Sequence, residues 1–254
     1  MFSLFSFLFN HRMIKSLKIF LFLLTLPLIS SCATQTNVIK SLSNVKNSIL
    51  KIETWASLGD CDETITSCAE DQMMSTGTGA VVLHNNKKHV LTAAHICIQK
   101  PHIPGMKIDY YFKAIDQNSK TYVIEMINYD TKSDICLLRS VSGHLEPSFI
   151  PISKKSLEYG EHVFNLAAPM GIIEEDMVPV LEGRYFGNHD GDAYFSIPAI
   201  GGSSGSPVVN SRGELVGMVH SVHYRFHHLT LSATYQRLWN FLNVEKVHII
   251  QVQN

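Results

Sequence analysis

The sequence predicts an all-β body closed by a single C-terminal helix. Three observations carry that expectation. Apolar residues alternate with polar ones over short segments, Gly, Asn and Asp turns separate those segments, and a stretch near the C-terminus carries its apolar residues at helical spacing. About 220 residues remain once an export leader is subtracted, enough for one domain with a well-buried core.

In chain order, the first element is that leader. Residues 19–29, Ile-Phe-Leu-Phe-Leu-Leu-Thr-Leu-Pro-Leu-Ile, form an apolar run preceded by His11, Arg12, Lys15 and Lys18. The run is short for a bilayer span and charged as a signal peptide is. It ends in Ile29-Ser30-Ser31-Cys32, which resembles the bacterial lipobox, so residues 1–31 are expected to be removed and Cys32 to be lipidated. That resemblance implies a chain anchored in a bacterial cell envelope, on the periplasmic or surface side. Met1 and Met13 are both candidate starts. Residues 32–48, rich in Ser, Thr and Asn, are expected to act as a tether. Strands are predicted at Ile49–Trp55, Gly79–His84, Lys107–Ala114, Tyr122–Asn128, Glu161–Ala168 and Glu214–His220. A helix is predicted over Ser232–Asn243, where Tyr235, Leu238, Trp239, Phe241 and Leu242 share a face.

Charge excludes one class of partner. Three of the 21 Lys/Arg and none of the 22 Asp/Glu precede residue 32, so the processed chain carries −4 and does not read as a nucleic-acid binder. Of the 13 histidines, His220, His223, His227 and His228 cluster, but their spacing fits no zinc signature; neither metal nor cofactor is expected. Cys61 with Cys68 and Cys97 with Cys136 are candidate disulfides in an exported chain, with two buried free thiols as the alternative for the latter pair.

The chemistry lies in three blocks: Leu91-Thr92-Ala93-Ala94-His95, Ser133-Asp134-Ile135-Cys136-Leu137-Leu138 and Gly201-Gly202-Ser203-Ser204-Gly205-Ser206-Pro207. A hydroxyl needs an imidazole to take its proton and a carboxylate to hold that imidazole in one tautomer, which His95, Asp134 and Ser204 would supply. Without a side chain at Gly202, the amides of Gly202 and Ser204 can turn toward an oxyanion. The run also satisfies G-x-S-x-G with Ser203 as nucleophile. That reading requires a following helix, an acid and a histidine, yet Pro207 interrupts any helix and no Asp follows Asp192.

Taken together, the blocks resemble the chymotrypsin-fold serine peptidases, from about Ser48 to Leu242. Gly-Gly-x-Ser-Gly-Ser-Pro looks like the glutamyl endopeptidase branch, whereas Gly77-Thr78-Gly79-Ala80-Val81-Val82 and Gly160 to Gly171 look like the HtrA group. The resemblance implies two six-stranded antiparallel β-barrels within 49–254, roughly 49–145 and 146–231, then the helix, with no room for a PDZ domain. It implies a serine endopeptidase acting on proteins or peptides; the alternative is a lipid-anchored binding protein on a catalytically silent scaffold. The position before the nucleophile, an Asp in relatives activated by an inserted N-terminus, is Ser203, so that activation is not expected. The pocket is expected to involve Pro198, Ala199 and His220. Pro198 stands where trypsin-like relatives read Lys or Arg with an Asp, and Ala199 where glutamyl endopeptidases place a threonine. His220 matches the pocket-edge histidine of the latter. A small or apolar residue before the cut is therefore the leading expectation, and an acidic one the alternative.

Overall fold

The computed structural model describes residues 35–58, 71–98 and 108–243, apart from the side chains of Leu58 and His227. The leader, Cys32 and the Cys61–Cys68 pair lie outside the described residues. Two compact units divide after Ser41; of the first, residues 35–41 are described and helical, and every strand belongs to the second. Helix α1 spans 35–46, within the segment expected to be a tether. Its composition is polar, but Val38, Leu42 and Val45 recur at helical spacing, and that periodicity outweighs the Ser/Thr/Asn content.

Two closed antiparallel six-stranded barrels follow, as the resemblance implied. The first comprises β1 (Ile49–Leu58), β2 (Gln72–His84), β3 (Lys87–Ala93), β4 (Ile108–Ile115), β5 (Thr121–Asp130) and β6 (Ile135–Ser140), in the order β1-β2-β3-β6-β5-β4. The second comprises β7 (His162–Leu166), β8 (Val180–His189), β9 (Asp192–Phe195), β10 (Pro207–Asn210), β11 (Leu215–His223) and β12 (Phe226–Ala233), in the order β10-β11-β12-β9-β8-β7. The short helix α2 (Ala94–Ile98) follows β3 directly.

Strand β5 alternates between exposed and buried positions over its first half, as a barrel wall with one wet face should. Strand β2 does not. Gly77 to Val82 are buried on both faces, because one face fills the first barrel and the other abuts the loop carrying Ser204. The second barrel is filled by Val163, Ala193, Phe195, Ile197, Val208 and Val216. The connection between barrels is stitched to both: Ile150 N–H donates to Val81 O at 2.8 Å and Ser153 N–H to Leu215 O at 3.0 Å.

Helix α3 (Tyr235–Asn243) begins three residues later than predicted, because Ser232 and Ala233 are still paired with β9. It buries Leu238 and Leu242. It is not confined to the second barrel: Leu242 O lies 2.8 Å from His84 Nδ1 on β2.

Candidate active site

His95 and Asp134 are brought together by the β3–β6 ladder. Ala93 pairs with Ile135, and Ala94 N–H continues the register by donating to Asp134 O at 3.0 Å. One residue beyond the ladder, Asp134 adopts φ +51°, a left-handed conformation that Asp tolerates better than most residues. Its carboxylate then meets His95 twice. Oδ1 accepts the His95 backbone N–H at 2.8 Å, and Oδ2 accepts Nδ1–H at 2.7 Å. This bidentate grip fixes the ring orientation and leaves Nε2 as the unprotonated nitrogen of a neutral imidazole. Burial pulls the Asp134 carboxyl upward, but the two hydrogen bonds from His95, with the electrostatic influence of the nearby His95 and His220 rings, outweigh it, holding Asp134 below its usual range.

The helical turn that carries His95 is also clamped covalently to β6. Cys97 and Cys136 form a disulfide with Cα atoms 6.6 Å apart, each two residues beyond His95 or Asp134. Both cysteines are buried. Of the two alternatives the sequence left open for this pair, the bond is the one realised. Closing a loop with a sequence separation of 39 contributes about 4 kcal/mol in the chain-entropy account.

Ser204 lies on a tight arc between β9 and β10. Its carbonyl accepts Thr78 N–H at 2.7 Å, and a Cβ built on Gly77 would come within 3.2 Å of that carbonyl and 3.0 Å of the Ile96 side chain. The Ser204 backbone and the residue after His95 thus flank the same glycine. Ser203, in contrast, is buried, and its Oγ accepts Ile200 N–H at 3.3 Å. Four successive carbonyls of the arc have donors: Gly201 O takes Met170 N–H, Gly202 O takes Thr78 Oγ1–H, Ser203 O takes Ser206 N–H and Ser204 O takes Thr78 N–H. The amides of Gly202 and Ser204 have no acceptor among the described residues. Gly202 has φ +91°, and a Cβ there would sit 2.6 Å from Met170 N, so only glycine fits.

A family model described as a trypsin-like peptidase domain matches residues 77–218, more than half of the chain. The chain belongs to the trypsin-like peptidase family. Human serine protease HTRA3 is 27% identical over 153 residues, covering 57% of this chain and 33% of the relative, so the chain spans about a third of that relative's length. Among solved structures, the active form of the Rv3671c protease from M. tuberculosis superposes with a TM-score of 0.58 at 17% identity, covering 80% of this chain and 82% of that one. A serine endoprotease from Yersinia pestis gives 0.59 at 15% identity, covering 80% and 64%. These structural likenesses concern the fold.

In this peptidase domain the three residues named for the pocket are placed differently from one another. Ala199 belongs to the core cluster of the second barrel, Pro198 is half-buried, and the neighbouring Ile200 is 53% exposed. His220 sits at a bulge where the β11–β12 register shifts between Val219 and Ser221. Its Nε2 lies 3.4 Å from Asp192 Oδ1, and its Nδ1 is 2.9 Å from Ser221 Oγ. His223 and His228 instead make ring contacts with Tyr224 and Phe226.

Two residues that support the arc were not singled out in the sequence. Thr78 lies inside the Gly77 to Val82 motif, and Asn165, fully buried, donates through Nδ2 to Ser206 Oγ at 2.8 Å and Pro207 O at 2.9 Å. Their place inside the two stretches that resemble the HtrA group was the only signal for either.

Proposed function

We propose that this member of the family is a serine endopeptidase in which Ser204, His95 and Asp134 act as nucleophile, base and orienting carboxylate. The observation that carries this reading is the two-point contact of Asp134 with His95, which engages Nδ1 and so leaves Nε2 as the nitrogen able to act as a base. Ser204 Oγ attacks the scissile carbonyl carbon as its proton passes to Nε2. His95 then returns that proton to the leaving amine, and water repeats the cycle on the acyl-enzyme. The oxyanion is received by the Gly202 and Ser204 amides, a contribution of about 10²–10³-fold per donor. Labelling by a fluorophosphonate probe tests the reading. Wild-type protein is expected to label and the Ser204→Ala variant not to; a folded wild type that never labels would favour the silent scaffold.

The substrate side is read as a small or apolar residue before the cut. Ile200 offers apolar surface, and the Asp192 carboxylate beside His220 disfavours an incoming glutamate. In a peptide-library profile, Ser204-dependent cuts are expected after small or apolar residues. Abundant cuts after Lys or Arg, or glutamate cuts that vanish in His220→Ala, would replace this preference.

The enzyme is further read as a bacterial lipoprotein of the cell envelope, held by acyl groups on Cys32, with residues 32–48 spacing the barrels from the membrane. The support is the lipobox-like Ile29-Ser30-Ser31-Cys32 after a short charged-then-apolar leader. Stable attachment takes two or more acyl chains, so Cys32→Ala is expected to move the protein from the membrane to the soluble fraction and to abolish labelling by a fatty-acid analogue. Persistent labelling would remove the anchor.

A further inference from the structure

We infer that Thr78 is a positioning residue for the oxyanion-binding amides, a role that rests on the serine endopeptidase reading and extends it to the first barrel. Thr78 belongs to β2 and is fully buried, yet three of its four polar contacts go to loops of the second barrel. Its backbone N–H donates to Ser204 O at 2.7 Å. Its Oγ1–H donates to Gly202 O at 2.7 Å, while the same oxygen accepts Ala168 N–H at 2.9 Å. The fourth contact, Thr78 O with Thr92 Oγ1 at 2.7 Å, ties it back to β3.

A peptide's C=O and N–H point in opposite directions, so holding the carbonyls of the arc on one side presents its amides on the other. The hydroxyl of Thr78 does this at two levels. It holds Gly202 O, the carbonyl of the peptide that links the Gly202 and Ser204 amides, and through Ala168 N–H it fixes the segment that delivers Met170 N–H to Gly201 O, the carbonyl opposite Gly202 N–H, at 2.7 Å. The Gly201–Gly202 peptide lies between two residues without Cβ atoms, so steric barriers do little to stop it turning over. Removing the hydroxyl leaves Gly202 O and Ala168 N–H buried without partners. Turning of the Gly202–Ser203 peptide, whose carbonyl has lost its partner, and loosening of the Ala168–Met170 segment that holds Gly201 O are then the accessible relaxations, and both displace the neighbouring Gly202 and Ser204 amides from the oxyanion position.

The test compares Thr78→Val, which keeps the shape and the backbone N–H, with Thr78→Ser, which keeps the hydroxyl. Thr78→Val is expected to lower kcat about 10²-fold with KM little changed, the signature of an interaction made in the transition state. Thr78→Ser is expected to stay within a few-fold of wild type. A Thr78→Val enzyme with wild-type kcat, or one whose loss lies in KM alone, overturns the proposal while leaving the peptidase reading intact. If Thr78→Val does not fold, the Thr78→Ala and Thr78→Ser pair makes the same comparison, since both lose the methyl and only one keeps the oxygen.

A second readout needs no turnover. The Gly202 and Ser204 amide resonances in ¹⁵N-labelled protein are expected to move in Thr78→Val and return in Thr78→Ser. Unmoved resonances overturn the positioning role even if the wild type proves silent, whereas absence of Ser204-dependent hydrolysis in wild type counts against the peptidase reading itself.

Discussion

Ser204→Ala is expected to lower peptide hydrolysis by about 10⁵-fold, because nucleophile and base act as a unit and loss of either removes the acyl-enzyme route. The fold should be indifferent to the change. Ser204 is only half-buried and its hydroxyl has no hydrogen-bond partner among the described residues, so the melting temperature should match that of wild type. Ser203→Ala is the control. Ser203 is 1% exposed and its Oγ accepts Ile200 N–H at 3.3 Å, so alanine there should cost about 1 kcal/mol of stability and change turnover only a few-fold. Initial rates and thermal melts of the two variants read both quantities. Exchanged outcomes would move the nucleophile to Ser203.

The largest effect on stability is expected one residue further on. Gly205 has φ +85°, and a Cβ built there would meet Thr78 O at 2.1 Å, Thr92 Oγ1 at 2.2 Å and Ala93 N at 2.9 Å. Two of these are backbone atoms, and Thr92 Oγ1 is held by its bond to Thr78 O, so no flexible side chain can yield. Gly205→Ala combines a left-handed strain of about 1–2 kcal/mol with overpacking of 1–3 kcal/mol or more. About 4 kcal/mol in all, or roughly 10 °C in Tm for a domain of this size, is expected in denaturation curves. A loss below about 1 kcal/mol would mean that β2 and the arc separate more readily than their hydrogen bonds imply.

What could be read from the sequence divides along a physical line. Strands β4 and β5 were predicted within a few residues because one face is buried and alternation survives over part of their length, and β1 and β11 because their apolar residues run together between polar turns. Strand β8 went unread: Glu182, Arg184 and Asn188 dilute its pattern, and its residues are half-buried at best. Strand β10 has only four residues, and β12 opens with Phe226-His227-His228, which drew attention as a histidine cluster rather than a strand. Within the proposed site, His95, Asp134 and Ser204 were nameable because the proposed chemistry demands those residue types. Thr78 and Asn165 were not, because they act by holding backbone carbonyls and a hydroxyl distant in sequence, Gly202 O lying 124 positions from Thr78. The direction of His220 was hidden for a different reason. Alternation places side chains only while register holds, and the bulge between Val219 and Ser221 breaks it.

The division of labour between the barrels has a consequence during synthesis. Thr78, His95 and Asp134 belong to the first barrel, while the Gly202–Ser204 arc follows about 70 residues after Asp134, tied to β2 through Ser204 and to β11 through the adjoining Gly205 and Ser206. A nascent chain therefore carries a base with no nucleophile, and a released C-terminal fragment a nucleophile with no base. In the proposed enzyme neither piece alone holds the complete catalytic set, so a partly made or truncated chain is not expected to cleave peptides.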